Sequence, residues 1–178
     1  FAEKMIEDWT KSSIEKKAVV LRYFNPIGAH NSGLIGEVRN VRTVNLVPMI
    51  LNVIEGKLEF LKVFGTDFNT RDGSAVRDFI HISDLIDGHL KAYNFLDQKG
   101  GYNIWNLGSG GGYSVLEVVR KFEEKIGQTI PINYQSRRKG DLPKYWADTN
   151  KADIQLNWKA KRNLDEMVAD TLNYLNKL

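Results

Sequence analysis

Positive charge beside a carboxylate and two rings is concentrated in one stretch, Ser136 to Lys151, SRRKGDLPKYWADTNK. Arg137 and Arg138 precede a Gly-Asp-Leu-Pro turn that carries Asp141, and Tyr145 and Trp146 follow. A guanidinium grips phosphate oxygens through a bidentate fork that lysine cannot copy. A further arginine, Arg77, leads into a short apolar run, and arginines at strand ends can point into the crevice where α/β folds bind ligands. A phosphate clamp and a solvated basic loop both fit these residues. Asn25 and Asn45 stand at element boundaries, where asparagine is more often a cap or turn former than a ligand contact.

Two other patterns point away from chemistry. Gly108-Ser109-Gly110-Gly111-Gly112 lies between a predicted strand and a helix, as a dinucleotide fingerprint would. The third glycine of that fingerprint falls on Tyr113, however, and arginines rather than a ribose-binding acid end the next strand, so a tight structural turn is expected. The three histidines, His30, His81 and His89, are 51 and 8 residues apart, not at the i, i+4 spacing of a metal pair. His81, where a strand becomes a helix, reads as a satisfied structural histidine, and no metal site is expected.

Composition narrows the classes. The chain has 178 residues, is 42% hydrophobic, and carries 25 Lys+Arg against 22 Asp+Glu, a net +3 that argues against wholesale nucleic-acid binding. It has no cysteine, which removes disulfides, thiolate catalysis and Cys-based zinc sites and fits a reducing compartment. No apolar run approaches the roughly 20 residues of a membrane span, and no signal-peptide pattern opens the chain. A cytoplasmic protein without membrane or nucleic-acid partners is expected.

The elements that must position these residues alternate between strand and helix. FAEKMIEDW places Ala2, Met5, Ile6 and Trp9 at helical spacing from the first residue, as if the chain opened inside a helix of something longer. AVVLRYF (Ala18 to Phe24) reads as a strand buried on both faces of a parallel sheet and ended by Asn25-Pro26. A long polar loop leads to a helix over NLVPMILNVIEG, with Pro48 in its first turn and Gly56 at its end. LKVFG and RDFIHI are short strands, followed by a helix with Ile82, Leu85, Ile86, His89, Tyr93 and Leu96 on one face. NIWNLGSGGGYSVLEVVRKFEEKIG is a strand–turn–helix unit with a Ser114/Glu117 capping box and a Gly127 stop. PINYQ is a strand, and Asn163 with Glu166 caps a final helix. The pattern is α/β.

Taken together, VVLRYFNPIGAHNSGLIGE, NLVPMI, KVFGTDFNTRDGSAVRDFIHISDLIDGH, NLGSGGGYSVLEVV and RRKGDLPKYWADTNKADIQLNW with LDEMVADT resemble the UDP-glucose 4-epimerases (UDP-galactose 4-epimerases) of the extended short-chain dehydrogenase/reductase family. The resemblance runs through the chain in unbroken order. RYFNPIGAH and GDLPKYWAD are its most specific parts, and they fit a hexose epimerase better than a 4,6-dehydratase or a UDP-glucuronate epimerase. It implies the C-terminal, UDP-sugar-binding part of such an enzyme with residual strands of its Rossmann sheet: residues 1–26 the end of the NAD-binding domain, residues 27–178 mainly the substrate domain. The family's NAD-binding glycine turn and its Tyr-x-x-x-Lys belong to an N-terminal half, so no catalytic residue is expected here and the chain by itself should be inactive. The full-length protein would be a homodimer.

By the same resemblance, Arg77 and Arg138 would clamp the UDP diphosphate, and Asp141 would fix the ribose hydroxyls or the arginine. Asn25 and Asn45 would bond the sugar or diphosphate. Leu46, Lys62, Val63 and Phe64 would form the uracil slot; Tyr23, Phe24 and Pro26 would lie near the NAD nicotinamide. Tyr145 would border the hexose near its second carbon, leaving room for a hydroxyl but little for an acetamido group. UDP-glucose and UDP-galactose would interconvert by transient oxidation at the fourth carbon. Two departures from the family bear on nucleotide affinity: Phe79 stands where a tyrosine is usual, and VRNVRTV between Glu37 and Asn45 replaces a loop with Pro and Asn. A binding module for nucleotide-sugars or polyanions, without catalysis, is the alternative.

Overall fold

A computed structural model of the protein describes residues 1–38 and 44–177; most of VRNVRTV therefore lies outside the described residues. In chain order the elements are α1 (Ala2–Lys11), β1 (Ala18–Tyr23), β2 (Asn25–Ile27), α2 (Leu46–Ile54), β3 (Leu61–Phe64), β4 (Val76–Arg77), β5 (Phe79–His81), α3 (Ile82–Lys99), β6 (Tyr102–Leu107), β7 (Tyr113–Ser114), α4 (Val115–Ile126), β8 (Ile132–Gln135), β9 (Lys144–Tyr145), α5 (Asn150–Leu156) and α6 (Leu164–Leu175). The expected α/β class holds. Three parallel pairs, β1 with β6, β2 with β5 and β3 with β8, accompany a small sheet in which β4 is flanked by antiparallel β7 and parallel β9. No helix among the described residues is long and apolar enough to cross a membrane.

Two apolar cores hold these elements. In the larger, α2, α4 and α6 close over β3 and β5 through Ile50, Leu61, Val63, Phe79, Phe122 and Met167. Its helices start where the sequence says they should. Ser114 Oγ accepts from the Glu117 amide while Glu117 accepts from the Ser114 amide, Asn163 and Glu166 repeat that reciprocal cap, and Gly127 ends α4 at φ +68°. The second core sets Leu85 and Ala92 of α3, with Ala152 and Leu156 of α5, against Trp105 and Leu107 of β6. Asp84, 1% exposed, bridges the cores by accepting from the Lys161 and Arg162 amides and pairing with the Arg162 guanidinium at 2.5 Å.

Four local expectations need correction. β1 is only half-buried over Ala18–Leu21 and exposed at Arg22 and Tyr23, because β6 covers one of its edges and no described strand covers the other. Asn25-Pro26 does not end extended structure; the chain continues as β2 alongside β5. RDFIHI is two strands broken at Asp78. The inward face of α3 is Leu85, Gly88 and Ala92, while Ile86 and Tyr93 point outward. Gly88 explains that rotation: a Cβ there would meet Leu107 Cδ1 at 2.8 Å, so the helix lies on β6 through its one bare position. On α1, Met5, Ile6 and Trp9 are exposed. β9 and α5 were not foreseen; one is two residues long and the other has no side-chain N-cap.

His81 is structural, as expected. It is fully buried, its Nδ1 accepts from the Ser83 amide at 3.0 Å as the N-cap of α3, and its Nε2 donates to Asp170 on α6 at 3.1 Å. Burial lowers its pKa below the ordinary 6.5; the hydrogen bond to Asp170 works the other way, and the Arg162 charge reinforces the lowering. The folded state therefore holds its histidine neutral while the unfolded state takes up a proton below about pH 6.5, so this contribution is present above that pH and is lost as pH falls toward the depressed value. Asp67, Asp72 and Asp165 are held below their ordinary 3.8 and act at lower pH. We expect the melting temperature to fall between pH 7 and 5. His81→Asn replaces the capping ring nitrogen with a carboxamide oxygen and removes the titration, so thermal melts of the variant across that window should show a flatter slope.

Candidate functional site

A cleft of about 340 Å3 opens where the first turn of α2, β2, β3, the end of β4 and the loop after β8 converge. Eleven of the thirteen candidate residues line it, all except Tyr23 and Tyr145. One wall is apolar. The two-residue period of β3 sends Leu61 and Val63 into the core and Lys62 outward, while Phe64 is left half-buried at the strand's end, and Leu46, Val63 and Phe64 all line the cleft.

The opposite wall is charged. Arg77 Nη1 donates to the carbonyls of Val76 at 2.9 Å and Leu142 at 2.8 Å, and Nη2 lies 3.6 Å from Asp141. Arg77 thus stitches β4 to the Gly-Asp-Leu-Pro turn and keeps donors at the cleft. The adjacent arginines divide their work. Arg137 is taken up by Asp67, its Nε 2.6 Å from Oδ1, and lies over Phe68; that ion pair holds the Asp67 carboxyl below the usual range. Arg138 lies flat over the Phe64 ring, guanidinium carbon 3.8 Å from the centroid, and among the described residues it forms no ion pair. Asp141 donates its amide to the Arg138 carbonyl, which closes the turn.

Neither asparagine caps a helix through its side chain. Asn45 occupies the N-cap position of α2 without a side-chain bond, which leaves its amide group and the positive end of the helix facing the cleft. Asn25 Nδ2 donates to the Asp78 carbonyl at 3.0 Å, as its main-chain N–H does at 2.9 Å. Phe24 and Pro26 lie beside it on the cleft's rim. Tyr145 stands just beyond, its ring stacked on Phe24 at 5.3 Å between centroids and 27° between planes. Tyr23 is turned away; its hydroxyl meets His89 Nε2 at 2.7 Å, and His89 Nδ1 donates to the Leu85 carbonyl.

The glycine turn is a structural turn, and it holds an anion of its own. The Asp78 carboxylate, fully buried, accepts from the Ser109 amide and hydroxyl through Oδ1, both at 2.7 Å. Its Oδ2 accepts from the Gly110 amide at 3.2 Å and the Ala147 amide at 3.0 Å. Gly110 has φ +75°, and a Cβ at Gly108 would sit 2.4 Å from Asp78 Oδ2. These amides are committed, so the turn is no seat for a pyrophosphate. Asp78 was missed as a site residue, although an acid inside the apolar run RDFIHI is a signal, because a buried carboxylate must be paired. No group of His, Asp and Glu suited to a metal occurs among the described residues.

A family model described as GDP-mannose 4,6 dehydratase matches residues 1–171. The chain belongs to that family. Within it, the chain is 49% identical over 172 residues to a UDP-glucose 4-epimerase of Erwinia amylovora, covering 97% of this chain and 51% of the relative. It is also 49% identical over 179 residues to the bifunctional UDP-glucose 4-epimerase and UDP-xylose 4-epimerase 3 of Arabidopsis thaliana, covering 99% and 51%. Among solved structures, a UDP-glucose 4-epimerase from Stenotrophomonas maltophila with bound NAD and formylated UDP-arabinopyranose superposes with a TM-score of 0.94 at 39% identity, over 99% of this chain and 52% of that one. One from Bifidobacterium longum, in complex with NAD+ and UDP, gives 0.90 at 42% identity, over 98% and 52%. The resemblance read from the motifs is therefore borne out, and the chain spans about half the length of the curated relatives it matches.

The two cleft arginines separate in a stability measurement. Arg77→Ala removes a charged donor from two carbonyls and should cost about 1.5 kcal/mol, the low end for hydrogen bonds to a charged group. Arg138→Ala, at an exposed position, should stay within about 0.5 kcal/mol of the parent in urea unfolding.

Proposed function

We propose that this chain is the UDP-sugar-binding part of a UDP-glucose 4-epimerase, an isomerase that interconverts UDP-glucose and UDP-galactose through a 4-keto sugar. The observation that carries this reading is the convergence of Arg77, Arg138 and Asp141 with an apolar slot in one cleft. In it, the two guanidiniums take the diphosphate, Asp141 orients a ribose hydroxyl or Arg77, and the Asn45 amide group with the positive end of α2 adds to the anion field. Leu46, Val63 and Phe64 receive the uracil ring, with Lys62 at the slot's edge. Asn25 reaches the sugar side, and Tyr145 borders the hexose. Phe79, packed in the core beside the cleft, offers no hydroxyl to the nucleotide.

NAD supplies the reversible hydride acceptor at the sugar's fourth carbon when bound. The described residues fit only its nicotinamide end, where Phe24 and Pro26 form an apolar rim, because the one glycine turn already holds Asp78. Tyr23, tied to His89, is the weakest of the three expected neighbours. Residues 1–26, with the strands that pair with them, would be the edge of the dinucleotide-binding sheet, and residues 27–178 mainly the UDP-sugar-binding part. The enzyme would work as a cytoplasmic homodimer in galactose metabolism, with neither nucleic acid nor membrane as partner.

Calorimetry with UDP tests the cleft. The 178-residue chain should bind UDP, and Arg138→Ala should weaken binding about tenfold, about 1.4 kcal/mol; equal affinities in the two proteins would make the arginine a solvated loop residue. The 178 residues contain no Tyr-x-x-x-Lys. Purified on its own, the chain should show no turnover of UDP-galactose and retain no NAD in a coupled assay and an absorbance spectrum.

A further inference from the structure

Asp78 lies at the break between β4 and β5 and does not line the cleft, yet it joins the two residues that stack across the cleft's outer end. On one side its carbonyl accepts both the main-chain and side-chain N–H of Asn25, the residue after Phe24. On the other its amide donates to the Tyr145 carbonyl at 3.2 Å, and its carboxylate Oδ2 fixes the Ala147 amide two residues further on. β9 has only two residues, paired with Val76 and Arg77. Beyond that short ladder the Asp78 main-chain amide holds the Tyr145 carbonyl, the Asp78 carboxylate holds the Ala147 amide, and the Asn106 side chain holds the Asp148 carbonyl. The same carboxylate pins the Gly108–Gly110 turn from below.

We propose that Asp78 is a positioning residue for sugar discrimination: it sets Tyr145 against Phe24 and so fixes the room beside the hexose. The inference rests on the UDP-sugar reading of the cleft. It separates the two ends of the ligand, because the diphosphate clamp does not depend on the carboxylate. Arg77 is held by the Val76 and Leu142 carbonyls and Arg138 by the Phe64 ring. Asn25 is held by the Asp78 main chain, which any side chain at 78 preserves.

Asp78→Asn is a sharp perturbation. Each carboxylate oxygen accepts from two donors, Oδ1 from Ser109 and Oδ2 from Gly110 and Ala147. A carboxamide can serve one pair only, and its own NH2 then opposes the N–H groups of the other. With its oxygen toward Ser109, the Ala147 amide is released and the Tyr145 wall loosens. Ser109→Ala removes one hydroxyl donor from Oδ1 and keeps every main-chain donor, a milder change in the same direction.

The experiment is calorimetry of the 178-residue chain and both variants with UDP, UDP-galactose and UDP-N-acetylgalactosamine. In Asp78→Asn the affinity for UDP-N-acetylgalactosamine relative to UDP-galactose should rise about five- to tenfold, while UDP stays within about threefold of the parent. Ser109→Ala should shift the ratio the same way by a smaller factor, and it carries the test if Asp78→Asn does not fold. An unchanged ratio in variants that bind UDP, or parallel weakening of all three ligands, overturns the role assigned to Asp78 and leaves the UDP-sugar reading standing. Failure of the unaltered chain to bind UDP overturns that reading itself.

Discussion

A carboxylate sealed from water costs several kcal/mol unless its lone pairs are occupied, and Asp78 is fully buried. Much of the architecture around the cleft follows from meeting that demand. The donors come from two separate places in the chain: the turn after β6, which supplies the Ser109 amide and hydroxyl and the Gly110 amide, and Ala147 just beyond β9. To bring them together, the strand that would run unbroken from Arg77 to Ile82 kinks at Asp78. One half pairs with β7 and β9, the other with β2. The small sheet carrying Arg77 and the pair carrying Asn25 are thus two products of one buried charge, and the cleft lies where they part.

The same constraint explains why the glycine run misleads. Its glycines serve the geometry that a dinucleotide turn uses, a close approach of backbone to an anion, and the anion is an aspartate of the same chain. Gly108 must lack a Cβ because Oδ2 would meet it, and Gly110 adopts a positive φ to aim its amide. A tyrosine at the third glycine position and the lack of an acid after the next strand point away from a cofactor turn, and the buried Asp78 carboxylate is the physical reason. The reason needed tertiary structure: residues 78 and 109 are distant in sequence, and no local period connects them.

What could be read from the chain was what local chemistry specifies. The capping boxes at Ser114 and Asn163 and the Gly127 stop are short-range hydrogen-bond grammar, and they lie where expected. Cleft residues were legible through family motifs, not through periodicity, since a two-residue strand such as β4 has no period to detect. The face of α3 failed because apolar residue type was taken to mean inward. A glycine and an alanine instead form the contact surface, and Ile86 and Tyr93 are left outside. The burial of β1 failed for a related reason, since a run of apolar residues announces that a strand can be covered, not that a neighbour lies along both of its edges.

The fate of the adjacent arginines shows why charge clusters have to be resolved one residue at a time. Arg137 and Arg138 have the same side chain and neighbouring positions, and composition treats them alike. In the fold, Asp67 satisfies the first, leaving it little to offer a ligand, while the second rests on an aromatic face with no ion pair among the described residues. A cation stacked on a ring at an exposed site is held by only about 0.5–1 kcal/mol, less than a charge-assisted bond to phosphate is worth. On the proposed reading Arg138 would thus be kept near the nucleotide end without being spent there, and the Phe64 face it would leave on moving to a diphosphate is the face that reading gives to uracil. Arg77 is the opposite case: two carbonyl bonds fix its position and leave other donors for the ligand. On the proposed reading, one rigid and one releasable guanidinium would hold the nucleotide firmly while the sugar faces a wall, Tyr145 stacked on Phe24, that Asp78 would set from behind.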